Sequence, residues 1–258
     1  MQKNETAWFC VSFLLYNYKK RGGRMVNKNN VDNEVIELDH YENPIIQDAG
    51  NCGIYASLNG FKMLKEEKVN KIGIKIDIFN LVKKVSYATN KDTGITFIGE
   101  FFDGENLCKL INDENFKKVV SKYFPSIESF NAKIVDLDKS IFEQNNLKHF
   151  YLIPIHLRIK NDNMHWITIY NNKRANSING CEKRTHRSKY LTYGEIKEEN
   201  SSITDFFDWN KYNPSNFCYK KFYKEHKDNF LSKSFIHDGK EDYRNVKEKC
   251  IEVCVETK

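Results

Sequence analysis

With only 4 prolines and 12 glycines in 258 residues, the chain has neither the composition of a collagen-like repeat nor that of a Pro- or Gly-rich linker. Long hydrophobic runs are also missing. The best window, Ala7–Tyr16 (AWFCVSFLLY), falls well short of the roughly 18 apolar residues of a spanning helix, so no membrane span is expected. The seven cysteines (Cys10, Cys52, Cys108, Cys181, Cys218, Cys250 and Cys254) are odd in number and scattered, and none stands in a Cys-x-x-Cys pair. That pattern argues against a disulfide framework and a structural zinc site, and for a reducing compartment. Cys250 and Cys254 are four apart, but Ile251, Val253 and Val255 alternate between and beyond them as in a strand, so no metal is expected there. The charge excess is small, 41 − 35 = +6, and there is no RNP motif, zinc-finger spacing or concentrated basic face, so no nucleic-acid partner is expected.

What the chain has is aromatic and apolar weight. Hydrophobic residues make up 40% and include 18 Phe, 14 Tyr and 3 Trp, enough for a buried core and against disorder. The length suits one domain with extensions. Residues 1–35 are read as an N-terminal extension outside the core. Their apolar stretch has the length of a signal-peptide core, but Lys19, Lys20, Arg21 and Arg24 follow it where positive charge should precede, and no small-residue cleavage site is visible. Secretion by an N-terminal signal is therefore not expected; translation starting at Met25 explains the same residues. The expected location is cytoplasmic, or inside a host cell after delivery. Residues 36–200 are read as the main domain. Residues 201–258 are read as an aromatic, basic C-terminal extension that can belong to the same domain.

Two segments stand out. Cys52, Ile54, Leu58, Phe61 and Leu64 recur at helical spacing and predict a helix opening at Cys52 and closed by the charged run Lys65–Lys68. Phe150–Ile159 and His165–Tyr170 are apolar and β-branched on either side of Lys160–Asn163, which predicts a hairpin. A further strand is predicted at Ser177–Glu182, after a polar turn at Asn171–Asn176. Between the two signals, Asn115–Tyr123 reads as helix and Ala132–Leu137 as extended chain.

These segments carry the parts of a thiol nucleophile site. Such chemistry needs a thiolate, a histidine to take and return a proton, a polar group to orient the ring, and donors for an oxyanion. Cys52 lies at a helix N-terminus, where unpaired N–H groups and the helix dipole favour negative charge. Gly53 leaves room for a substrate backbone, and Gln47 can turn its amide toward a developing oxyanion beside the Cys52 N–H. His165 opens a strand, from which a base can approach the thiol. A cysteine on an apolar helix or a histidine before a strand is, taken singly, ordinary core or surface. It is their conjunction that points to catalysis.

Gln47-x4-Cys52-Gly53 opening an apolar helix, with Ile153-Pro154-Ile155 leading into His165-Trp166, resembles the papain-like cysteine hydrolase superfamily. The wording is most similar to the ubiquitin-like-protein (SUMO) proteases, the adenovirus protease and the Yop-type effectors, over residues 44–64 and 147–184. The chain order Gln47, Cys52, His165 is instead that of papain and the bacteriocin-processing peptidases. The resemblance implies an α+β papain-like fold, with the nucleophile helix packed on an antiparallel sheet. It implies a third triad member about 17 residues after the histidine, which is Glu182, with Asn179 as the alternative because papain uses asparagine. Trp166 is read as core or cleft wall, and the resemblance implies that it can narrow a channel. The expected activity is that of a cysteine peptidase or isopeptidase, without cofactor, on a protein or peptide substrate such as a ubiquitin-like conjugate. An effector-type acetyltransferase or glutamine deamidase on the same fold, and a catalytically inactive binding module, are the alternatives. The basic cluster Lys183, Arg184, His186, Arg187 and Lys189 is read as a solvated turn.

Overall fold

The apolar spacing that begins at Cys52 folds as helix α1 (Cys52–Lys65), and nearly every side chain along it is buried. The computed structural model describes residues 36–47, 51–66, 68–88, 104–143, 147–157, 163–178, 191–203, 206–208, 240–242 and 246–258. Further helices are α2 (Lys71–Ala88), α3 (Gly104–Asn112), α4 (Glu114–Tyr123), α5 (Ser140–Glu143) and α6 (Tyr193–Ser201). Two of them begin on side-chain caps. The Asp113 carboxylate accepts from Asn115 N ahead of α4, and Thr192 with Glu195 forms a capping box ahead of α6.

The strands are β1 (Glu37–His40), β2 (Ile127–Asp136), β3 (His149–Leu157), β4 (Asn163–Tyr170), β5 (Lys173–Ala175), β6 (Leu191–Thr192), β7 (Phe206–Asp208), β8 (Lys240–Asp242) and β9 (Lys249–Thr257). The main sheet runs β2-β9-β3-β4-β5-β1-β6; only the β1–β5 pair is parallel, so the fold is α+β with a mixed sheet. A separate two-stranded sheet joins β7 and β8. The final strand of the chain lies between β2 and β3, within the same sheet as the hairpin that bears His165. Val35–Lys258 thus forms one unit, and residues 1–35 lie outside the described residues.

The third strand differs from expectation. Asn171 and Asn172 both take positive φ, 45° and 56°, as a tight two-residue hairpin turn requires, and asparagine tolerates that region better than most residues. The chain therefore reverses at once and pairs as β5 from Lys173, four residues before the predicted start at Ser177. Ser177 and Ile178 follow that strand, and residues 179–182 lie outside the described residues.

Helices cover both faces of the sheet. On one face α1, α2, α3 and α4 bury a core that includes Leu58, Phe61, Leu107, Phe116, Phe150, Trp166 and Val253. On the other, α5 and α6 cover Leu38, Tyr151, Ile153, Ile155, Ile167 and Ile169. Phe61 anchors the first core, its ring 4.7 Å from Phe130, 5.1 Å from Phe150 and 5.8 Å from Phe124. Gly60 lets Phe150 approach the helix, since a Cβ at that position would sit 2.2 Å from the ring. Alanine favours a helix over glycine by about 1 kcal/mol, but the overlap dominates here. Gly60→Ala is therefore expected to lower the urea midpoint by an amount equivalent to roughly 1–3 kcal/mol. An unchanged or higher midpoint would show that the α1–β3 contact is looser than described.

Among the described residues, no helix is long and apolar enough to cross a membrane.

Candidate active site

The segment before α1 is fastened to the helix by two of its own side chains. Lys62 donates from Nζ to the Asn43 carbonyl, and Asn59 forms two hydrogen bonds with the backbone of Ile45. Ile45 N donates to Asn59 Oδ1 at 2.6 Å, and Asn59 Nδ2 donates to Ile45 O at 3.1 Å. Two residues later Gln47 is caught from the other side. Its N–H donates to Ser177 O at 2.9 Å, and the Ser177 hydroxyl donates to Gln47 Oε1 at 2.6 Å. Ser177 thus holds both the backbone N–H and the side-chain oxygen of Gln47.

Asn176, next to Ser177, holds His165. The Nε2–H of His165 donates to Asn176 Oδ1 at 2.9 Å, with both residues buried. The direction of that bond follows from a second one. Ile178 N donates to the same Oδ1 at 2.9 Å, so this atom is the acceptor oxygen and His165 must carry its proton on Nε2. A neutral ring in that tautomer has its lone pair on Nδ1.

Cys52 opens helix α1, which packs on β4. Gly53 lies beside Trp166, whose Cδ1 is 3.3 Å from where a Cβ on Gly53 would sit, and Thr168 donates its hydroxyl to Ala56 O at 2.6 Å. Helix α1 and strand β4 therefore run in the same direction. Alternation along β4 turns Trp166, Thr168 and Tyr170 to α1 and His165 to the side of Ile167, the sheet face opposite α1. Cys52 is in no disulfide and is buried, with 8% of its surface exposed. No acidic residue occupies the first turn of α1, so nothing there offsets the positive end of the dipole that favours a thiolate.

Gly53 and Trp166 differ from the cleft-lining expectation. Trp166 is 1% exposed, and a Cβ on Gly53 would meet Leu107 Cδ2 at 2.9 Å as well as the indole. The missing side chain makes room for core packing, not for a substrate backbone. Glu182 and Asn179 lie outside the described residues. Asn176, Ser177 and Asn59 went unnoticed in the sequence, where 171–176 read as a turn. The Asn-Asn pair was the available signal, because a two-residue turn there places Asn176 directly behind a short strand.

Burial lowers the His165 pKa to about 4, partly opposed by the bond to Asn176. The unfolded chain takes up this proton near pH 6.5 and the folded chain only near 4. The folded state binds fewer protons in that window, so stability is full above about pH 6.5 and falls as the pH drops toward 4. The loss from this one group is roughly 3 kcal/mol. Urea unfolding at pH 7 and 4.5 is expected to show the drop, and His165→Gln is expected to show a smaller one. Equal drops in the two proteins would mean that the imidazole is not buried as described.

No protein-family model, curated protein or solved structure matches this chain.

Proposed function

We propose that the protein is a papain-like cysteine hydrolase in which Cys52 is the nucleophile, His165 the base, Asn176 the residue that orients it and Gln47 an oxyanion donor. The observation that carries this reading is the pair of bonds at Asn176 Oδ1, from His165 Nε2–H and from Ile178 N, which leaves the His165 lone pair on Nδ1. Asn176 thereby takes the place for which Glu182 and Asn179 were the sequence candidates.

In the proposed reaction, His165 Nδ1 takes the Cys52 proton as the sulfur attacks the acyl carbon. The oxyanion is held by the Gln47 amide and the Cys52 N–H. Collapse breaks the acyl–leaving-group bond, and the leaving group takes the proton from His165. Water then attacks the thioester, giving its proton to Nδ1. The sulfur departs and recovers that proton, which restores both residues. With an imidazole pKa of about 4, the ring is neutral and able to accept a proton throughout the neutral range. This chemistry needs no metal or organic cofactor.

Peptides or ubiquitin-like conjugates are the proposed substrates, on the resemblance of Gln47-x4-Cys52-Gly53 and His165-Trp166 alone. The test is reaction with ubiquitin and SUMO bearing C-terminal electrophiles, read by intact mass with Cys52→Ala as control. A Cys52-dependent adduct supports both nucleophile and substrate class. Selective alkylation of Cys52 by iodoacetamide without a probe adduct keeps the thiol enzyme and removes the ubiquitin-like substrate. An unreactive Cys52 leaves a binding module.

A further inference from the structure

A second group of reactive side chains lies elsewhere on the sheet. His149 and Tyr151 on β3 pair with Cys254 and Glu252 on β9, and Glu252 pairs in turn with Lys133 on β2. His149 Nδ1 is 2.8 Å from Glu252 Oε1 and 3.7 Å from Cys254 Sγ. One donor atom from each of His149, Glu252 and Cys254 lies within 4.8 Å of the others. The site is remote from His165. His165 pairs with Ile155, and His149 stands six residues further along β3, about 20 Å away at strand rise.

The geometry points to a divalent metal site, for zinc or an ion of similar softness, formed by His149 Nδ1, Glu252 Oε1 and Cys254 Sγ with a fourth position open to solvent. The donor set fits that class: one thiolate, one imidazole and one carboxylate are zinc ligands, and three protein ligands with one open position is a recurring arrangement. The spacing fits as well. Tetrahedral bonds of ordinary zinc length put sulfur and nitrogen about 3.6 Å apart and nitrogen and oxygen about 3.4 Å apart. The sulfur–nitrogen separation is already 3.7 Å, and the 2.8 Å hydrogen bond has to open by roughly half an ångström.

The surroundings hold the carboxylate for this task. Lys133 Nζ pairs with Glu252 Oε2 at 2.7 Å, and Tyr151 donates its hydroxyl to Oε1 at 3.1 Å. Both can remain as outer partners that orient the ligand. Burial would raise the Glu252 carboxyl, but the hydrogen bonds from Lys133, His149 and Tyr151 outweigh it and keep the group below its ordinary pKa. Binding displaces the Cys254 thiol proton and moves the His149 hydrogen from Nδ1 to Nε2. Because the ligands come from β3 and β9, a bound ion would clamp the C-terminal strand to the hairpin that carries His165.

The test uses the full chain carrying Cys52→Ala, which removes the competing thiol, titrated with Zn2+ by calorimetry and with Co2+ by absorption. One ion per chain, a thiolate-to-cobalt charge-transfer band and a raised Tm are expected. Adding Cys254→Ser should abolish the band, and adding His149→Ala should weaken binding at least about tenfold. Either no binding, or binding whose stoichiometry and spectrum survive both substitutions, would overturn the site. If the added substitutions unfold the chain, a cobalt spectrum of the folded Cys52→Ala protein without a thiolate band still does so.

Discussion

Replacing Cys52 by alanine is expected to reduce hydrolysis by at least about 10⁴-fold while the protein stays folded. Removing the nucleophile of a concerted site typically costs several orders of magnitude in kcat, because the remaining groups have nothing to activate. Cys52 lies at the opening of α1, buried at the edge of the core, and alanine there leaves the eleven further buried residues of the helix in place. Alanine is also a good helix former. Hydrolysis rates for the two proteins with matched urea midpoints separate the roles. Equal activity would remove Cys52 from the chemistry, and a collapsed midpoint would make it a packing residue.

Asn176→Ala is expected to lower kcat/KM by roughly 10²-fold or more, the scale of positioned acid–base catalysis. The substitution strands a buried His165 N–H and releases the ring from the tautomer that exposes Nδ1. The stranded donor should cost about 1–3 kcal/mol of stability as well. A purely structural asparagine would also cost stability, so Asn176→Asp provides the distinction. Aspartate can accept the same two bonds, from His165 Nε2 and Ile178 N, and its charge favours the imidazolium. The acid limb of kcat/KM should then stand near pH 4 in the natural protein and move upward in Asn176→Asp, with most activity kept. If Asn176→Ala were fully active and Glu182→Gln dead, the orienting residue would be Glu182.

The parts of this site that could be read early are those carried by local pattern. The 3.6-residue spacing from Cys52 and the β-branched runs around 150–170 each depend on neighbours in sequence, and both elements form where that spacing places them. The position of β9 between β2 and β3 could not be read that way. It depends on pairing Phe130 with Val255 and Phe150 with Val253, residues more than a hundred positions apart, and alternation alone names no partner. The hydrogen-bond partner of His165 could not be read for a smaller reason. Counting about 17 residues from His165 leads to Glu182, outside the described residues, whereas the immediate reversal at Asn171-Asn172 brings Asn176 to the ring eleven residues after it. Asn59 was hidden differently, as a polar residue inside an apolar helix whose use is to hold the backbone of Ile45 ahead of Gln47.

The most direct test of the central claim is the rate of iodoacetamide alkylation at each of the seven cysteines, followed by peptide mass in the natural protein and in His165→Gln. Cys52 should react fastest near neutral pH, ahead of Cys250, whose thiol is pushed up by burial, and should slow when His165 is replaced. A Cys52 that reacts no faster than the other thiols, and at the same rate without His165, would contradict the assignment of nucleophile and base.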